Sequence, residues 1–269
     1  MKNIITLLKS DAVTIKVNCG DINMIRFELA NNKIVKDCLE TVCIIIDELC
    51  FEADSDGLRL RALDKSHISF IDMEWKSILF DTYQCSEPCS FTVDASELLK
   101  IIKRIKTGDV LSAGLDEGNL ILKYNGDSVC TFKLRLIDVE YETPTPPTVN
   151  YPVTLSIPVK VFDDAISDAE LYGEKISLSC DNDYFITSAD GEFGVNHNRY
   201  LHGESIGDYV KSTYSIPKIK ELLKGKSLSH EVKLGLGDDL PLTLEYHSPT
   251  NDYKLGFLLA PRIETDEVY

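Results

Sequence analysis

Two long stretches of this chain follow one plan. Residues 93–124 (VDASELLKIIKRIKTGDVLSAGLDEGNLILKY) and 214–248 (YSIPKIKELLKGKSLSHEVKLGLGDDLPLTLEYHS) both read as helix, turn, strand, acidic turn, strand. Asp94 maps to Ser215, and Leu120 and Leu122 map to Leu242 and Leu244, an offset of 121 to 122 residues. The upstream parts match as well. Residues 31–46 and 158–173 carry helical apolar spacing, and a pair of strands follows each, at 51–64 and 176–190. A repeat of roughly 125 residues in a 269-residue chain predicts two similar domains.

The segment 136–152 (LIDVEYETPTPPTVNYP) separates the halves. Its four prolines fix φ and remove amide donors, so it reads as an extended connector that contains the domain boundary. The strands alternate apolar and polar residues, as in Leu242-Thr243-Leu244-Glu245-Tyr246. Hairpin-length connections and two helices per half predict an α+β fold. Its sheets are antiparallel, with the helices on one face.

With 43% apolar and 27% charged residues, the chain is foldable and neither disordered nor fibrous. Val42–Ile46 and Phe257–Ala260 fall far short of the roughly 18 apolar residues of a membrane span, so neither a membrane partner nor a signal peptide is expected. The net charge of −16 argues against a surface that coats nucleic-acid phosphates everywhere, but leaves room for a local basic stripe. Eight scattered cysteines without a CxxC read as reduced thiols in a reducing compartment.

The helix wheels differ in sign. In 94–106, Lys100, Lys103 and Arg104 lie opposite Leu98, Ile101, Ile102 and Ile105. In 215–224, Lys218, Lys220 and Lys224 lie opposite Ile216, Ile219, Leu222 and Leu223. The first helix of each half is different: Lys36, Asp37 and Glu40 mark one, and Asp163, Asp164, Asp168 and Glu170 mark the other. The four polar faces cancel, so any nucleic-acid contact is confined to part of the surface and weak at physiological salt.

Six blocks now converge: LRALDKSHISFIDMEW (60–75), FDTYQC (80–85), LIDVEYETPTPP (136–147), SADGEFG (188–194), GDDLPLTLEY (237–246) and FLLAPRIE (257–264). Together they resemble the proliferating cell nuclear antigen family of DNA sliding clamps, in its archaeal form, over about residues 24 to 266. The resemblance divides the chain into an N-terminal extension (1–23), clamp domain 1 (24–140), an interdomain connector (141–151) and clamp domain 2 (152–269). It implies a homotrimeric ring with helices on the inner face. Such a ring encircles double-stranded DNA in the cytoplasm, beside the nucleoid, and confers processivity in replication and repair. It tethers DNA polymerase, a clamp loader and other clients that carry a short docking peptide with one aliphatic and two aromatic residues. No cofactor or metal is implied.

The resemblance also implies site residues. Lys36, Lys100, Lys103 and Lys224 would face DNA, joined by Arg104, Lys218 and Lys220 as their neighbours on the wheels. The peptide pocket would be formed by Leu63, His67, Ile68, Pro144, Pro147, Pro241, Leu258, Ala260, Pro261 and Ile263. The His67 ring reads as a hydrogen-bonded structural imidazole rather than a ligand. Subunits would meet through edge strands at 128–135 and about 192–200, carrying Val129, Phe132, Leu134, Phe193 and Val195. Val129, Phe132 and Leu134 do not fit one alternation, which points to a bulge or register detail.

Enzyme motifs are weak. Asp238-Asp239 and Asp181-x-Asp183 sit in turn sequences that explain them. His197 and His202 lack further ligands at metal-binding spacing. A clamp without enzymatic activity is therefore expected. Its rivals are a clamp-fold scaffold subunit of a hetero-ring in repair or checkpoint complexes and, more remotely, a metal-dependent nuclease built on the acidic turns.

Overall fold

The computed structural model describes residues 25–262 apart from 107, 140, 141, 182 and 203–208. The first half contains β1 (Ile25–Leu29), α1 (Lys33–Ile45), β2 (Glu48–Asp54), β3 (Gly57–Leu63), β4 (Ser69–Lys76), β5 (Thr82–Cys85), β6 (Cys89–Asp94), α2 (Ala95–Ile102), β7 (Val110–Asp116), β8 (Asn119–Asn125) and β9 (Val129–Arg135). The second contains β10 (Val153–Pro158), α3 (Val159–Glu170), β11 (Lys175–Asp181), β12 (Tyr184–Gly191), β13 (Gly194–Leu201), β14 (Val210–Ser215), α4 (Ile216–Leu222), β15 (Glu231–Leu236), β16 (Leu242–His247) and β17 (Tyr253–Leu259). All strand pairs are antiparallel, and the architecture is the expected α+β fold.

The duplication extends to the hydrogen-bond ladders. β1–β7–β8–β9 corresponds to β10–β15–β16–β17, and β6–β2–β3–β4 corresponds to β14–β11–β12–β13. Domain 1 adds β5 beside β1. Asp94 and Ser215, matched in sequence, are both N-caps: the Asp94 carboxylate accepts from the Glu97 amide at 2.9 Å, while Pro217 fixes φ in the first turn of α4.

The domains share one sheet. β17 pairs with β4 from Tyr253↔Trp75 to Leu259↔Ser69, which closes an eight-stranded sheet across the domain boundary. Phe257, Trp75, Phe70, Leu255 and Met73 are buried along this seam. The helices bury the stripes their spacing predicts: Val35, Cys38, Leu39 and Val42 in α1, Phe162, Ala165, Ile166 and Ala169 in α3, and Ile216, Ile219 and Leu222 in α4. They lie side by side in the order α2, α1, α4, α3. A Cβ at Gly57, where φ is +148°, would stand 2.0 Å from the Trp75 carbonyl oxygen, so the β2–β3 hairpin requires glycine there.

β9 corrects one expectation. It pairs residue for residue with β8 from Asn125↔Val129 to Asn119↔Arg135, without a bulge. Phe132 and Leu134 point to one face and Val129 to the other, an ordinary alternation.

Candidate DNA-facing helices, docking cleft and subunit edges

Most of the helix-borne cations are paired with carboxylates. Lys100 Nζ lies 2.6 Å from Glu97, Lys220 2.6 Å from Glu170, and Lys226 2.7 Å from Asp163. Lys33 pairs with Asp37, which also accepts from the Ser227 hydroxyl across the domain boundary at 2.8 Å. Lys36 donates to the Ile105 carbonyl at 3.3 Å, while Lys103 and Lys224 extend into solvent. Arg104 stands by the Tyr124 hydroxyl and Cys130, at the edge formed by β9. Hydrogen bonds from Tyr124 and Ser128, with Arg104 nearby, hold the Cys130 thiol below its ordinary range.

Lys218 is placed differently from its neighbours on the wheel. It is half-buried, 2.9 Å from Glu221 and 3.2 Å from the buried Asp64. Asp64 closes the turn between β3 and β4. Its Oδ1 accepts from the amides of Ile68 (2.8 Å) and Ser69 (3.0 Å), and its Oδ2 from the Ser66 hydroxyl (2.6 Å). Burial alone would push the carboxyl up. The Ser66 hydroxyl, the two amides and Lys218 outweigh it and hold the carboxyl below the usual range.

This turn borders an apolar cluster on the outer face of the shared sheet. Phe70 and Leu258 are buried there against Leu63, Tyr151 and Ala260. A cleft of about 130 Å³ opens beside them, walled by Pro146, Pro147, Val149 and Tyr151 of the connector and by Thr243, Glu245 and Lys254 of the sheet. The connector is fastened where it leaves domain 1: the Ile137 amide donates to the Thr92 carbonyl at 2.8 Å, and the Thr143 hydroxyl to Glu52 at 2.6 Å.

Of the expected pocket residues, Leu63, Leu258 and Ala260 come together in the cluster, and Pro147 lines the cleft. Pro144 and Pro241 are not among its walls. Ile68 packs against the main core and accepts from the Ala260 amide, while Pro261 is half-buried just beyond β17. Ile263 lies outside the described residues. His67 corrects its expectation. Its backbone takes φ +54°, and its amide donates to the Asp64 carbonyl. Its ring is exposed, and among the described residues it has no hydrogen-bond partner.

Among the described residues, β9 and β13 end their sheets with free edges. Val129 is 69% exposed, Val195 63% and Phe193 95%. Phe132 stacks on Tyr124 at 5.8 Å, and Leu134 packs against the core. Asp238 accepts from the Lys211 amide at 2.7 Å, which ties the β15–β16 turn to β14, and Asp239 takes φ +53° within that turn. Among the described residues no three His, Cys, Asp or Glu side chains converge as a metal site would need, and no helix is long and apolar enough to cross a membrane.

Residues 24–143 match the family model for the N-terminal domain of proliferating cell nuclear antigen. The DNA polymerase sliding clamp of Methanobrevibacter smithii is 45% identical over 91% of this chain and all of its own length. The chain belongs to the DNA polymerase sliding clamp family. Solved structures agree on the fold. The clamp protein PCNA from Thermococcus kodakaraensis gives a TM-score of 0.83 at 22% identity over 88% of this chain and all of its own. A PCNA2–PCNA3 complex from Sulfolobus tokodaii gives 0.81 at 25%, over 89% and 100%. The assigned extension, residues 1–23, lies outside both the family match and the described residues.

Within this clamp fold, sequence reading missed Phe70, Tyr151 and Val149 as cleft residues, while Pro146 lies in the expected connector stretch from Pro144 to Pro147. Phe70 carried a signal, because it lies within the family-like block 60–75, two residues past Ile68. It also missed the Asp64–Lys218 pair, which spans 154 residues of sequence.

Proposed function

We infer that three copies of this chain close head to tail into a ring around duplex DNA and tether polymerase and other clients to it, in the cytoplasm beside the nucleoid. Family membership carries the sliding-clamp function, which is that of a scaffold and not of an enzyme.

One observation carries the ring: the two strands of the seam β17·β4 inside the chain have counterparts that are unpaired on one edge among the described residues. β9 corresponds to β17, and β13 corresponds to β4. Repeating the internal seam between copies would pair β9 of one with β13 of the next. Matching the ladders sets the register, with Phe132 opposite Asn196, Cys130 opposite Asn198 and Leu134 opposite Gly194. Such a contact is heterologous, so it must close into a ring or grow into a filament. Charge supports the same junction. α2, with Lys100, Lys103 and Arg104, borders β9, while α3, with Asp164 and Asp168, borders β13.

In that ring the helices line the hole. Lys36, Lys100, Lys103, Arg104, Lys220 and Lys224 give a sparse, partly neutralised track suited to a sliding contact. Clients dock by an aliphatic and aromatic peptide in the cleft on the outer face, against Leu63, Phe70, Tyr151 and Leu258. Light scattering of the purified chain should give three times 30.2 kDa. A stable monomer that assembles only on adding a different clamp chain would favour the hetero-ring.

A further inference from the structure

We propose that Lys218 is a positioning residue of the docking turn and not a DNA contact; the docking half of this inference rests on the function proposed above. Lys218 projects from α4, in the row of helices, yet its ammonium reaches domain 1. There it donates to Asp64 Oδ2, on a carboxylate only 4% exposed. The same carboxylate holds the amides of Ile68 and Ser69 on its other oxygen, so each acceptor site has a donor. The turn it closes runs directly from Leu63 to Phe70, two walls of the apolar cluster. Glu221 takes the remaining reach of the ammonium. With one lysine between two carboxylates, the trio carries no surplus positive charge to offer a phosphate. Lys220 and Lys224, by contrast, are exposed. Removing Lys218 would leave Asp64 buried with one acceptor site open, and the turn loses its side-chain tie to α4, keeping only the backbone bonds to the end of β17.

The test compares Lys218→Met, Lys218→Arg, Lys224→Ala and Leu258→Glu, each first checked for assembly by light scattering. Three quantities are measured. They are amide hydrogen exchange at Ile68 and Ser69, calorimetric affinity for a synthetic peptide with one aliphatic and two aromatic residues, and the salt slope of retention on duplex DNA. Lys218→Met should speed exchange at both amides and weaken the peptide on the order of tenfold, with the DNA slope unchanged. Lys218→Arg should restore both. Lys224→Ala should show the reverse pattern, with a shallower slope and unchanged exchange and affinity. If Lys218→Met flattens the DNA slope while exchange and peptide affinity stay at wild-type values, the proposal is overturned. If Leu258→Glu leaves peptide binding intact, or the wild-type chain binds no peptide, the docking reading fails. The exchange rates then still decide the clamp: unchanged rates in Lys218→Met overturn it as well.

Discussion

The seam inside the chain and the two free edges use equivalent strands for different ends. At the internal seam, Ser69, Ile71, Met73 and Trp75 of β4 face the core, with Leu255, Phe257 and Leu259 of β17 on the same side; all are buried. Their counterparts on the free edges are Gly194, Asn196, Asn198 and Tyr200 of β13, and Cys130, Phe132 and Leu134 of β9, all half-buried. Three apolar or small core positions on β4 have become glycine or asparagine on β13, while β9 has kept its apolar pair. One seam is core, which cannot separate without unfolding. The other is an edge that stays compatible with water until a partner covers it, and polar residues there reduce unwanted pairing of an exposed strand.

The widest expected gap between the seams is in stability. Phe257→Ala should cost about 3–5 kcal/mol in denaturant unfolding, because it empties a fully buried site. Phe132→Ala, at the equivalent place on the half-buried edge, should cost the subunit only about 1 kcal/mol and show its main effect as a lower assembled mass. Equal costs at the two sites would remove the distinction between core seam and edge seam.

A smaller effect sharpens the edge seam. Raising salt from 0.1 to 1 M shortens screening from about 10 to about 3 Å. Dilution series by light scattering should then show weaker assembly at high salt. Asp164→Asn with Asp168→Asn should weaken assembly at low salt and blunt its salt dependence. If the variant keeps the wild-type salt response, α3 and α2 do not meet between copies.

The smallest effect concerns acid. Asp72 is half-buried, which alone would raise its carboxyl, but Lys254 at 2.8 Å and Arg61 at 3.0 Å outweigh burial and hold it below the usual range. Asp64 behaves alike. A depressed carboxyl contributes stability at neutral pH that is lost as pH falls through its folded value. The melting temperature should therefore drop below roughly pH 4. Asp72→Asn should melt lower at pH 7 and show a flatter acid limb. An unchanged acid limb would mean that the ion pairs on the outer face of the internal seam contribute nothing measurable.

Much of this molecule is legible in its sequence because the signals are local. Apolar spacing placed the four helices within one to four residues of their ends, and the Asp94–Ser215 match identified two equivalent helix starts. The internal seam was not legible. β4 and β17 each read as a strand with an apolar face, and nothing local says that they pair with one another rather than with strands of their own domain. The bulge expected in β9 came from treating Val129, Phe132 and Leu134 as one face, whereas an edge strand carries apolar residues on both. The Lys218–Asp64 contact was hidden for a similar reason. A helix wheel reports which way a side chain leaves the helix, and says nothing of a carboxylate 154 residues away in sequence.

The sheet that crosses the domain boundary has a mechanical consequence. The proline-rich connector is the part of the chain with the look of a hinge, yet seven consecutive residue pairs between β17 and β4 bypass it. Any bending load runs through that ladder and the side chains packed along it rather than through the connector alone. The two domains are therefore stiffly joined. In the proposed ring, a DNA duplex would be admitted only by springing one clasp between neighbours, where β9 and β13 would meet.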